Sequence, residues 1–396
     1  MRRFLTRYAA FFRLPDVVRL LAIVLVARMP VGMMSLALLM HLRQLSGSFA
    51  FAGATVGTYL VAMACSAPII GRIVDRRGPR GILIVTGIVQ PLALGLLLLG
   101  RPLQLPLAMI APLTAIAGAF APPISTVSRT LWRYRFDREE DRRTAFAVDT
   151  VMIEFNFTVG PALIAFVLVF SDATAALGLT WLFVVIAVPL YLYSGAARYW
   201  KQTSGEERHL LGPLTDWRLL LVYATTVALT FMFGMIEVGY PGFAAARGKP
   251  ALGGALLAIC SIGSALGGLA YGGMHLRAPV ENQLSRFLLA MAIPLGAQAL
   301  VGSAWLFAPF AFMTGLLIAP SLTALTLLVT RRAPARYATE AFTWMSTCVL
   351  TGIGAGMAVA GQLVEAAGAW AAFAVAAAAC VVATLLSLSL QITRQK

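Results

Sequence analysis

Charge is what this chain has least of. Only 12% of its 396 residues are Asp, Glu, Lys or Arg, against 60% hydrophobic residues, and the mean hydropathy is +0.84. A soluble domain carries about 25% charged residues. A soluble chain with so little polar cover would precipitate, so the composition points to an integral membrane protein. Acids are scarcer than bases, 16 against 31, for a net charge of +15. The bases form no aromatic-interleaved patch, which argues against a nucleic-acid partner. They sit in short clusters between apolar runs, as a topology signal does. Lysine is almost missing: 3 lysines stand against 28 arginines, alongside much alanine, the mark of a GC-rich bacterial coding bias.

The residues of metal and redox chemistry are few and scattered. Cys65, Cys260, Cys348 and Cys380 all lie in apolar runs, and no two share a disulfide or metal spacing. His41, His209 and His275 lie at run ends or in loops and form no ligand cluster. No metal site and no cofactor is expected. No nucleophile occupies a recognised elbow, so an enzyme is not indicated. "GFAAARGKP" from Gly242 has one residue too many between its glycines for a phosphate loop and lacks the Ser/Thr, which argues against ATP-driven pumping. Nor is there a filter-like repeat or a ring of charge for a channel.

Long apolar runs are what the chain does have. A helical span needs about 20 mostly apolar residues. Twelve such runs lie near 18–42, 50–74, 81–100, 104–128, 145–170, 174–197, 218–242, 251–274, 284–304, 306–330, 338–363 and 366–390. An even number puts both termini on one side. With that side cytoplasmic, 26 Lys or Arg fall in inner loops and span ends, four in outer loops and one, Arg28, within a span. The positive-inside rule therefore places both termini in the cytoplasm. The basic start "MRRFLTRYAAFFRLP" resembles a signal peptide, but the run after it is too long and no cleavage site follows. Phe4, Tyr8 and Phe11 recur at helical spacing, which suits a short helix on the membrane surface or, equally, a disordered basic anchor.

The polar stretch 198–217 divides the spans six and six, giving an N-terminal unit 1–197, a central loop and a C-terminal unit 218–396. The two units echo one another. "RLLAIVL" at Arg19 echoes "RLLLVYA" at Arg218, and "AGATVGTYL" from Ala52 echoes "GGALLAICS" from Gly253. Ala121-Pro122 matches Ala319-Pro320, and "TAFAV" from Thr144 matches "EAFTW" from Glu340. Four echoes in order at one offset argue for a duplicated six-helix unit, the parallel-repeat plan whose site lies near the membrane midplane between halves.

Between the second and third runs lies "GRIVDRRGPR", Gly71 to Arg80. It is similar to the signature loop G-x-x-x-D-R-x-G-R-R of the major facilitator superfamily. Gly71, Asp75, Arg76, Gly78 and Arg80 match, and Pro79 departs. The corresponding "GGMHLRAPVE" from Gly272 keeps a glycine and Arg277 but not the aspartate. A purely topological loop accounts for the arginines but not for Asp75 or the glycines. Gly71 lets another helix approach closely. Asp75 can face the positive N-terminal end of a helix from the other half. Gly78 and Pro79 permit a tight turn. The resemblance implies an all-α membrane protein of 12 transmembrane helices in two pseudo-symmetric six-helix bundles. It also implies a latch between the halves that closes on the cytoplasmic side.

Ionisable groups at membrane depth are functional candidates by default. Arg28 and Glu154 sit at nearly equal depth in the first and fifth spans, about 13 Å in at 1.5 Å per residue, and are expected to pair or share a network. A static pair holding the half together and a pair opened by substrate or proton are equally open. Glu237 lies deeper in span seven, in "FGMIEVGYPGF", whose glycines and Pro241 suggest a bent helix. A carboxyl in apolar surroundings can take and release a proton near neutral pH, which makes Glu237 the first choice for proton coupling. Asp149 and Glu340 are expected to pair with loop arginines.

"NFTVGPALI" places Gly160-Pro161 inside span five and partly resembles the glycine-proline motif of the superfamily's drug antiporters. Asn156 and Ile164 replace the flanking glycines, and the basic residue those exporters carry midway along span four is absent. Gln90, Asn156, Tyr240, Gln298 and Trp344 are further cavity candidates on polarity alone.

The expectation is a monomeric secondary transporter in a bacterial inner membrane, surrounded by lipid. It would export a small amphipathic compound by proton antiport. Uptake by symport, facilitated movement of a metabolite or lysolipid, and a non-transporting sensor on the same scaffold are the alternatives.

Overall fold

The structure, a computed structural model, describes residues 11–14, 16–100, 102–136, 139–195, 216–273, 278–332 and 338–392. The expected surface helix at the N-terminus, apart from the buried Phe11, and nearly all of the central loop lie outside them. So do some side chains within helices, among them those of Asp75, Arg76, Glu154 and Glu340.

The described residues form helices and no strand: α1 (Val17–Ser46), α2 (Phe49–Arg77), α3 (Pro79–Leu98), α4 (Leu107–Ala119), α5 (Ile124–Arg135), α6 (Glu139–Phe170) and α7 (Ala173–Tyr193) precede the central loop. α8 (Trp217–Ala245), α9 (Pro250–Gly273), α10 (Val280–Leu300), α11 (Ala304–Arg332), α12 (Ala338–Ala366) and α13 (Ala369–Ile392) follow it. Their boundaries follow local chemistry. Gly47 ends α1 at φ 75°, and Ser48 opens α2 by accepting from the Phe51 N–H. Gly78, at φ 79°, and Pro79 at the first helical position make the turn from α2 into α3. Asp172 and Asp216 cap α7 and α8.

Spans four and ten carry the same Ala-Pro step and treat it differently. In span four a second proline follows, so two adjacent amide donors are lost and the helix breaks at 120–123 into α4 and α5. In span ten a single Pro320 stays inside a continuous α11.

Eleven stretches among the described residues are long and apolar enough to cross a membrane, α4 and the start of α5 counting as one. The twelfth span is α10, which starts four residues earlier than the hydropathy suggests. Its first turns hold polar side chains that find partners. Glu281 pairs with Arg332 at 3.3 Å, Gln283 accepts from the Tyr271 hydroxyl at 2.7 Å, and Ser285 meets Ser387 at 2.8 Å. Gly302, in the turn at 301–303, ends this span sooner than expected.

The same packing occurs twice. α1 lies against α6 and α7, α2 against α4, and α3 against α4 and α7. After the central loop, α8 lies against α12 and α13, α9 against α11, and α10 against α11 and α13. The close crossings repeat too. A methyl on Gly118 would lie 2.1 Å from the Tyr59 carbonyl oxygen, and one on Gly315 would lie 1.9 Å from that of Cys260. Gly160 abuts Gly32 as Gly356 abuts Gly234. Small residues let the backbones meet where lipid offers no hydrophobic drive for association.

The halves join along two seams, α2 with α12 and α6 with α9. Their tight points lie toward the face opposite the chain termini. Methyls on Gly53 and Gly57 would lie 2.5 Å from the carbonyl oxygens of Met357 and Gly354, and one on Gly254 would lie 2.7 Å from that of Pro161. At the other end of α2, Gly71 faces open space. The close helix approach expected at Gly71 is therefore found at Gly53 and Gly57 instead, because the halves meet at the opposite end of the same helix.

Candidate functional site

Glu237 stands where the halves face each other. α8 carries it, half-buried, and its carboxyl lies beside the Ser35 hydroxyl of α1. The helix around it is shaped by its glycines. Gly234 is pressed on the Ile353 carbonyl of α12, and Gly239 meets the Phe373 ring of α13. α8 runs unbroken through Pro241 to Ala245. The carboxyl thus has a polar neighbour from the other half, too weak a signal to read from a lone serine in an apolar run.

One turn further, Tyr240 is wholly buried against Phe307 and Phe373, with ring centroids 5.7 Å away in each case. Its hydroxyl lies beside the Cys260 thiol and the Gln298 amide without a partner in good hydrogen-bond geometry. Gln298 donates to the Thr314 hydroxyl at 2.8 Å, and its oxygen is unpartnered. Cys260 also lies close to Glu237. Cys260, Tyr240, Gln298 and Thr314 therefore form one polar line through four helices of the C-terminal half, with Glu237 one helical turn from Tyr240. Sequence reading singled out Glu237, Tyr240 and Gln298 but had no means of joining them.

The other candidates fall elsewhere. Gln90 donates to the Tyr59 hydroxyl and the Ala117 carbonyl, both at 3.2 Å, and is a strut within the N-terminal half. Asn156 is buried, with its side-chain oxygen unpartnered, and its backbone carbonyl lies against Gly32. Trp344 is partly buried on α12. Gly160 and Pro161 sit where three helices converge, Gly160 against α1 and the Pro161 carbonyl against Gly254 of α9. The glycine-proline step is thus a packing point on one of the seams.

Arg28 is 1% exposed and reaches Asp149, its Nη1 2.7 Å from Oδ1. The Trp132 indole donates to the same oxygen at 3.0 Å, and Arg28 Nη2 donates to the Ser125 carbonyl at 3.1 Å. Asp149 was expected to pair with loop arginines. α6 begins at Glu139, earlier than its apolar run, which carries Asp149 about 15 Å along the helix, level with Arg28. The side chain of Glu154, the expected partner, lies outside the description. Arg80 is exposed at the start of α3.

A further residue went unnoticed in the sequence. Glu365, near the end of α12, accepts from the Ser48 hydroxyl and, at 2.9 Å, from the Ala50 N–H, both at the start of α2. Among the described residues no group of three or more His, Cys, Asp or Glu is placed to hold a metal.

The family model of the Major Facilitator Superfamily matches residues 20–349. The chain belongs to that superfamily. Among solved structures of comparable fold, a crystal structure of a point mutant of the nucleoside transporter NupG is similar at TM-score 0.79. It is 13% identical and covers 94% of this chain and 99% of its own. A second crystal structure of NupG gives TM-score 0.76 and 14% identity over 95% and 99%. No curated protein matches in sequence. Identities this low speak for the fold alone. With family, fold and spans in agreement, this superfamily member is a multi-pass membrane transporter of small molecules.

Proposed function

We propose that the protein is a proton-coupled secondary transporter that exports a small, amphipathic organic compound from a bacterial cell. It sits in the inner membrane with both termini cytoplasmic. The moving units are residues 1–197 and 218–396, joined by the 198–217 loop. The observation that carries this reading is the contact between Glu237 and Ser35. It places a half-buried carboxylate on the boundary between the two units, close to a line of buried polar groups. A carboxylate in such a place is expensive unless it is used. Proton exchange there would alter how tightly the halves hold each other and the substrate. The arginine bias of one face sets the orientation. The tight seams at the face opposite the termini support a state open toward the cytoplasm.

A second reading is uptake of a polar metabolite by symport. The likeness to a nucleoside transporter favours it, as do the unpartnered oxygens of Tyr240 and Gln298 beside Glu237. A thermal-unfolding screen in detergent separates the two. Drugs, lysolipids, sugars, amino acids and nucleosides are tested at two pH values, since a ligand of the folded state raises Tm by mass action. Hits are then assayed in proteoliposomes with an imposed proton gradient. Antiport driven outward supports the first reading, symport the second. Binding without transport removes both.

A further inference from the structure

The two seams of the closed face are built differently. Where α9 meets α6, the contact is apolar: Gly254 against Ala165, the Pro161 carbonyl and Leu36. Where α2 meets α12, a carboxylate adds to the glycine packing of Gly53 and Gly57. Ser48 is the N-cap of α2 and satisfies the Phe51 N–H. Helices often complete such a start with a Glu at the third position, which reaches back to the open amides. Here that position is Phe51, so the chain offers no acid in cis. Glu365 supplies one from the other half of the molecule, accepting from the Ser48 hydroxyl and the Ala50 N–H. The positive end of the helix dipole favours a carboxylate in that place. The equivalent position on the other seam, 196 residues earlier by the offset of Gly356 from Gly160, is Val169, which cannot do this.

We propose that Glu365 is the gating residue of the closed face: a helix cap supplied in trans that holds α2 and α12 together and must release before the transporter opens on that side. Closure at the α6–α9 seam depends on packing and lets the halves pivot. Closure at the α2–α12 seam adds a polar contact to the glycine packing of Gly53 and Gly57, and opening there must break its two hydrogen bonds. The two antiparallel helices carry an acid near each C-terminal end, Asp75 and Glu365, at opposite faces. The inference rests on the reading that the halves rock.

The test measures the distance between Leu103→Cys and Ser303→Cys, in turns of the two halves on the closed face away from Glu365, by spin-label spectroscopy on the full chain. Cys65 and Cys348 are replaced by serine, and the buried Cys260 and Cys380 remain. Capping interactions of this kind shift an equilibrium roughly fivefold. Glu365→Ala is expected to raise the long-distance population by about that factor, and Glu365→Gln by less. Asp172→Ala removes an acid on the same face that stays within one half, and leaves the distribution unchanged. An unaltered distribution in a folded Glu365→Ala protein overturns the proposal. If that variant does not fold, Glu365→Gln decides in the same way. Gly57→Leu forces the seam apart sterically. A single distance persisting even there counts against rocking itself and not against Glu365.

Discussion

Arg28 of α1 and Asp149 of α6 form a buried ion pair, 2.7 Å between Nη1 and Oδ1, with the Trp132 indole on the same carboxylate oxygen. The pair crosses three helices of one half and ties the short α5, through Ser125 and Trp132, to the rest. Breaking a buried pair from one side leaves an uncompensated charge and costs about 3–5 kcal/mol. Asp149→Asn keeps an acceptor for Trp132 but removes the carboxylate that faces the guanidinium. It is expected to lower Tm markedly in detergent. Arg28→Met combined with Asp149→Asn should recover much of that loss, since both charges of the pair are removed together. A double variant no more stable than Asp149→Asn would show that the charge was not the cost.

Glu237→Gln keeps the shape of the side chain beside Ser35 while removing the titrating proton. The variant is expected to fold and to bind substrate, and to lose transport driven by an imposed pH gradient. Counterflow exchange, which needs no net proton movement, should survive. Both are read in proteoliposomes. Equal gradient-driven rates in variant and parent would take Glu237 out of the coupling mechanism.

Much of the fold was legible because membrane helices announce themselves by hydropathy. The duplication was legible for a similar reason: Tyr59 and Gly118 return as Cys260 and Gly315 at nearly the same offset, since both pairs fill the same crossing. Pairings were not legible. Asp149 falls near the cytoplasmic end of the apolar run of its span, so only the true start of α6 shows that it lies level with Arg28. Ser35 is one hydroxyl in an apolar run, and nothing in its neighbours marks it as the partner of Glu237. Glu365 lies 317 residues from Ser48 and joins it only because α2 and α12 are antiparallel across the seam.

Asp172 offers a pH test outside the membrane-spanning segments. The Ala175 N–H at 2.9 Å and the Gln44 amide at 3.1 Å hold its carboxylate below the usual range. A depressed carboxylate contributes stability that is complete above its unfolded value and lost as pH falls through the folded one. Asp172→Ala should therefore cost about 1 kcal/mol at neutral pH, the worth of an N-cap. The Tm gap from the parent should close in acid, below the ordinary carboxylate value of about 3.9. A gap that stays constant into acid would assign the loss to packing.

Asp75→Asn probes the opposite end of α2. If Asp75 closes the terminal face, as its place in the signature loop implies, the variant favours the state open on that face. Cysteines placed at Ser66 and Ser346, on α2 and α12, should then react faster with a membrane-impermeant thiol reagent in inside-out vesicles, by roughly the fivefold that a helix-terminus interaction supports. Equal rates in variant and parent would leave the loop as a topology signal only.

Gly160 separates a packing role from a transport role for the glycine-proline step. A methyl there would lie 2.5 Å from the Gly32 carbonyl carbon, a backbone atom that cannot rotate away. Overpacking of this kind costs about 1–3 kcal/mol. Gly160→Ala should therefore lower Tm and push α6 from α1. Gly178→Ala, where nothing lies within 4 Å, should be neutral or slightly stabilising, because it removes a helical glycine. Transport by Gly160→Ala should fall in step with its loss of folded protein. A folded Gly160→Ala protein with parental Tm and no transport would instead make the step part of the moving machinery, since the contact with Gly32 would then be open for part of the cycle.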